Sequence, residues 1–256
     1  MSIVAVTRKG EAYADALDLA IPGRLAGLYL VGSAALGDWQ EKLSNVDVVA
    51  VAEHWDEAAI AASMKPQGLL SGGGPCRVAF VTFAHLAVRS SEPGPECREG
   101  GATIDPAEFA TPLTWTIMAE DAVCLRGPEY FPVHHDEDDL RSWAADRLAR
   151  RWAPWAAKAG RVPGQLWRRR ALAESLLEVT RLHIAATRGQ AVSKLRSGSM
   201  TLDDVPGHFQ RVVTDAVGYR RGSRTSMYWG PVERKHHTLE LIGELAQRAR
   251  DQLPEG

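Results

Sequence analysis

Gly32-Ser33 closes one apolar run and Ser44-Asn45-Val46-Asp47 opens the next, within the tract LYLVGSAALGDWQEKLSNVDVVAVA. These residue types handle phosphate. A glycine lets the backbone come close to an anion, and a serine hydroxyl with the N–H groups of a following helical turn binds phosphate oxygens. Residues at i and i+2 of a strand share a face. Asn45 and Asp47 therefore point to the same side, where a hard cation such as Mg²⁺ takes oxygen ligands. Two carboxylates would complete that arrangement; Asn45 supplies an amide oxygen and no charge.

The flanking elements place these residues. Residues 26–31 (AGLYLV), 46–52 (VDVVAVA) and 77–83 (RVAFVTF) read as three buried strands. Residues 10–20 read as a helix ended by Pro22-Gly23, and 56–64 as a helix stopped before Pro66. Gly72-Gly73-Gly74-Pro75 is a turn. Pro93, Gly94, Pro95, Gly100, Gly101 and Pro106 make 91–106 a loop, and 113–124 reads as helical. After residue 133 no strand-like run remains. Helices are expected over 138–152, 166–187, 206–220 and 232–252, with Pro154, Pro163 and Gly164 as interruptions. The expected fold is an α+β N-terminal domain, 1–133, with a mixed sheet and flanking helices, followed by an all-α helical bundle, 134–256.

The order strand, Gly-Ser, helical turn, then a strand opened by Ser-Asp-x-Asp resembles the active-site signature of the nucleotidyltransferase superfamily, with Asn45 at the first aspartate. PLTWTIMAEDAVCLRGPE (112–129) and LLEVTRLHIAATRGQAVSK (176–194) are similar to tracts of the streptomycin/spectinomycin (aminoglycoside) adenylyltransferases, and Leu125-Arg126-Gly127-Pro128 keeps that family's turn. The resemblance implies a nucleotidyltransferase-type sheet, ATP and Mg²⁺, and transfer of AMP to a hydroxyl of an unknown small molecule. It implies phosphate contacts from Gly32, Ser33 and Ser44, triphosphate contacts from Arg181, Lys194 and Tyr219, and Asp47 with Asn45 as catalytic and metal-holding residues. The general base of the family falls on Phe80, which can neither take a proton nor bind a metal. A positioned base contributes ~10²–10⁴ in rate, so Asn45 and Phe80 together imply an impaired enzyme. The alternative is a non-catalytic nucleotide- or partner-binding protein on the same fold. Asp38, Glu41 and Glu53 are the acids near in sequence that would have to compensate. The family's antibiotic-stacking Trp has no counterpart in 91–106. Where acids would hold a cationic aminoglycoside stand Trp167, Arg168, Arg169 and Arg170, with Glu174 and Glu178 the nearest carboxylates.

A formal charge of −2 gives no global basic field, so nucleic acid is not an expected partner. No run of about eighteen apolar residues predicts a membrane span. Cys76, Cys97 and Cys124 lack metal-type spacing and are odd in number, which suits a reducing cytoplasm. His134-His135 and His236-His237 are adjacent pairs whose rings diverge on a helix, and no further ligand completes a tetrahedral set. Trp143, Trp152 and Trp155 read as helix-packing residues. Arg181 also has a local alternative, an ion pair with Glu178 or Glu174 on its own helix.

Overall fold

The computed structural model describes residues 3–70, 74–88, 95–159 and 168–251. The chain divides into two compact units, Met1–Asp136 and Glu137–Gly256.

In the first unit the elements are α1 (Ile3–Ala20), β1 (Leu25–Val31), α2 (Gly32–Ala35), β2 (Val46–Ala52), α3 (Glu57–Met64), β3 (Cys76–Val81), α4 (Phe83–Ala87), β4 (Glu96–Glu99), β5 (Ala102–Ile104), α5 (Pro112–Glu120) and β6 (Val123–Arg126). The strands form one sheet in the order β5-β4-β3-β2-β1-β6. Only β2 and β3 run parallel; the other neighbours are antiparallel. The three central strands are buried on both faces, which is why they read as continuous apolar runs. Alternation then sorts their side chains. Leu28, Leu30, Val46, Val48, Ala50, Val78 and Phe80 join Tyr13 and Leu17 of α1 and Ile60 and Met64 of α3 in one core. Tyr29, Val31, Asp47 and Arg77 alternate to the opposite face.

Two expectations fail here. Residues 95–104 are not loop but the β4–β5 hairpin, with Gly100 and Gly101 at its tip, both at positive φ (56° and 90°). A Gly-Gly pair between short runs is a hairpin signal in its own right; the prolines nearby masked it. Residues 91–94 lie outside the described residues. The helix expected over 113–124 stops at Glu120, and Val123–Arg126 instead pairs with β1. The helical spacing of MAEDAVCL is outweighed by edge pairing, a tertiary effect. Gly127 follows at φ 93°, where a Cβ would collide with the Ala26 carbonyl oxygen.

The second unit comprises α6 (Glu137–Arg147), a π-helical turn (Leu148–Trp152), α7 (Ala153–Ala159), α8 (Arg169–Arg188), α9 (Lys194–Asp204), α10 (Gly207–Arg220) and α11 (Pro231–Asp251). Pro154 does not interrupt the path. The π turn before it relaxes the i→i−4 ladder that a proline would otherwise break. Pro163 and Gly164 lie outside the described residues. α8 is central, with Leu172, Leu176, Leu177, Val179, Leu182 and Ile184 buried, and it packs against α6, α9, α10 and α11. It ends at Gly189 in the left-handed conformation (φ 63°). α9 was not expected from sequence. Ser193 starts it by accepting the Arg196 N–H at 3.2 Å. Among the described residues no helix is long and apolar enough to cross a membrane.

Candidate active site

β1 and β2 pair antiparallel, with Val31 opposite Asp47. Gly32 leaves β1 at φ 62° and opens α2. A Cβ at Gly32 would lie 2.5 Å from Asp47 Oδ2. The glycine is thus required twice, by its backbone conformation and by the carboxylate next to it. Ser33 is half-buried in the same turn, and its carbonyl accepts the Asp38 N–H at 2.9 Å. The Ser44 hydroxyl accepts the Gln40 N–H at 3.0 Å, and the Ser44 N–H donates to the Gln40 carbonyl at 2.8 Å. Buried Ser44 therefore closes the loop that returns the chain to β2. Asn45 is half-buried, and a Cβ on Gly74 would come within 2.6 Å of its Oδ1. Gly32, Ser33, Ser44, Asn45 and Asp47 thus lie on adjoining turns and strand ends of the first unit.

The parallel register of β2 and β3 sets Arg77 beside Asp47. The Arg77 Nε donates to Asp47 Oδ1 and a terminal guanidinium nitrogen donates to Oδ2, each at 2.8 Å. The carboxylate side chain is 9% exposed and the guanidinium side chain 23%, so this bidentate pair is largely out of water. The Phe109 ring stacks against the guanidinium, 4.9 Å from its central carbon to the ring centre. In the antiparallel register β4 places Glu99 opposite Arg77. Asp47, Arg77 and Glu99 thus form a row across three neighbouring strands. Sequence reasoning missed Arg77. The available signal was a cation near the start of an otherwise apolar strand, CRVAFV, a run that discourages charge unless it is paired.

The same register corrects Phe80. It lies opposite Ala50, three residues along the strand from Arg77 and so about 10 Å away. It faces the core, with its ring edge-on to Trp55 at 4.8 Å. The side chain neighbouring Asp47 on β3 is a cation, not a residue at Phe80. The acids close in sequence are placed otherwise. Glu53 is exposed beyond the far end of β2, Glu41 lies 3.7 Å from Lys9 Nζ, and Asp38 is buried.

These donors do not fit Mg²⁺. Both Asp47 oxygens are engaged by Arg77, Asn45 is neutral, and among the described residues no group of three or more His, Cys, Asp or Glu could hold a metal. Mg²⁺ demands near-octahedral oxygen ligands and yields its water reluctantly. The histidine pairs have separate partners: His236 lies 3.7 Å from Glu240, and His237 Nδ1 is 2.9 Å from the Tyr228 hydroxyl. Cys76 and Cys97 are buried, and burial pushes both thiols up to about 12, which leaves them unreactive.

In the second unit Arg181 and Lys194 meet through carboxylates. Arg181 donates to both Glu178 oxygens at 2.7 and 2.8 Å. Lys194 Nζ is 3.0 Å from Glu174 and 3.4 Å from Glu178. Arg220, only 2% exposed, closes the network on Glu174 at 3.1 Å; its helix α10 brings it there from 46 residues away. Burial alone would raise the Glu178 carboxyl, but the charges of Arg181 and Lys194 outweigh it and hold the group below the usual carboxylate range. Tyr219 stands elsewhere, its ring 5.4 Å from the Arg169 guanidinium. Arg169 is itself clamped by buried Asp215 at 3.0 and 3.2 Å, which explains one cation of the basic run; Trp167 lies outside the described residues. Trp152 and Trp155 pack edge-on at 5.3 Å.

Neither a protein-family model nor a curated protein matches this chain. A solved structure does: a spectinomycin adenyltransferase from Enterococcus faecialis, crystallised with ATP and spectinomycin. The TM-score is 0.67 over 94% of this chain and 98% of that one, at 12% identity. The fold is nucleotidyltransferase-like. At that identity the likeness concerns architecture, a mixed sheet with flanking helices followed by a helical region.

Proposed function

We propose that this chain is a nucleotidyltransferase-like protein that binds ATP over the Gly32-Ser33 turn and transfers AMP slowly to a hydroxyl of a small molecule. In that reaction the hydroxyl oxygen bonds to the α-phosphorus, the bond to pyrophosphate breaks, and the hydroxyl proton passes to solvent. The observation that carries this reading is the junction of Gly32 with Asp47 at the paired ends of β1 and β2, on a fold shared with a protein crystallised with ATP.

The same residues argue for slow turnover. Asn45 lacks the second charge, and losing one electrostatic stabiliser costs roughly 10²–10³ in rate.

The test is calorimetry with ATP, followed by pyrophosphate release in the presence of hydroxyl-bearing acceptors, spectinomycin first. ATP should bind, and Ser33→Ala should weaken binding roughly ten- to a hundredfold, the loss of one hydrogen bond to a charged group. Binding without pyrophosphate release would leave a nucleotide-binding protein on the same fold. Absence of ATP binding would end the reading.

A further inference from the structure

We infer that Arg77 stands in the place of the divalent cation, so that this site handles a polyphosphate without a metal ion. The inference rests on the proposed seating of ATP over Gly32-Ser33. Its grounds are the geometry of the first unit around Asp47. Asp47 gives both oxygens to one guanidinium at 2.8 Å. The contact is not a chance reach of a long side chain, because the parallel ladder pairs the two backbones at Asp47 and Arg77. Phe109 against the guanidinium face restricts where else that group can go. A guanidinium stays charged at any working pH and presents a rigid fork suited to carboxylate and phosphate oxygens.

The charges explain Asn45 as well. An aspartate at 45 would add a negative charge to a row that already holds Asp47 and Glu99 against the single cation Arg77, facing a polyanion; the neutral amide of Asn45 does not. An approaching Mg²⁺ would have to displace Arg77 from Asp47 and then sit beside it, like charge against like.

The experiment combines two measurements on the full chain. ATP titration is run in EDTA and in excess Mg²⁺, and Mn²⁺ binding is followed by the loss of the free-ion EPR signal. The expected result is ATP affinity equal within about threefold in the two buffers, with no Mn²⁺ uptake at millimolar metal. Asn45→Asp alone should still take up no Mn²⁺, whereas Asn45→Asp with Arg77→Ala should acquire Mn²⁺ binding, since it restores two carboxylates on one face without the competing cation. ATP binding that rises more than about tenfold with Mg²⁺, or Mn²⁺ uptake by the unaltered protein, overturns the inference and leaves the nucleotide reading standing. No ATP binding in either buffer removes the nucleotide reading and the inference with it. Should circular dichroism show the double variant unfolded, the two measurements on the unaltered protein decide alone.

Discussion

Asp47 and Arg77 hold each other in a largely dry setting, 9% and 23% exposed at their side chains. Breaking such a pair from one side is costlier than removing both charges, because a lone buried charge is left behind. Arg77→Ala should therefore destabilise the protein by about 3 kcal/mol, and adding Asp47→Asn should recover part of that loss. Urea unfolding of the two variants checks the order. Phe80 supplies a contrasting case. Its family-derived assignment suggests that glutamate there would restore a base, but the side chain faces the core against Trp55. Phe80→Glu should cost roughly 3–5 kcal/mol and give no gain in pyrophosphate release.

Elements differ in how plainly the sequence announces them. β1, β2 and β3 are buried through most of their length, so their apolar runs mark them without ambiguity. β4, β5 and β6 are four residues or fewer, and β5 and β6 bury no residue fully; they exist because a neighbour offers a free edge, and local sequence carries little trace of that. The helices of the second unit were legible from sequence except α7, which carries Pro154 where an interruption was expected, and α9, whose start depends on a single serine cap. The Gly-Ser turn and Asp47 were legible as a pair, while Arg77 was not, because parallel register is decided by packing across a crossover. Gly127 tests one of these dependent elements. Its positive φ and the Ala26 carbonyl leave no room for a Cβ, so Gly127→Ala should cost about 2–4 kcal/mol. Loss of amide exchange protection should begin in β6.

For the molecule as a whole, 12% identity to a structure of the same architecture means that the pattern of burial, and not particular side chains, carries the fold. Acid should weaken the second unit through two of its groups. His183 is buried, and burial lowers its pKa, so the native state holds it neutral. Its contribution is present above the unfolded value near ~6.5 and falls away as pH drops below it. Glu178 behaves likewise at lower pH: its folded pKa is depressed, so its stabilisation is present above ~4.3 and is lost as pH falls toward the folded value. The melting temperature should decline gently below about pH 6.5 and more steeply below about 4.3. Glu178→Gln should flatten the steeper limb and His183→Gln the gentler one.

The ladder between β2 and β3 has an additional effect. A slip of one position would set Val78 or Cys76 against Asp47 and turn the guanidinium into the apolar layer under α1 and α3. Misaligned chains would thus strand the guanidinium in the apolar layer and leave Asp47 buried without its cation. The Asp47–Arg77 contact would therefore penalise misregister as well as hold the native pair, and a protein with both charges erased should keep its native contacts yet refold with more misregistered, aggregation-prone molecules.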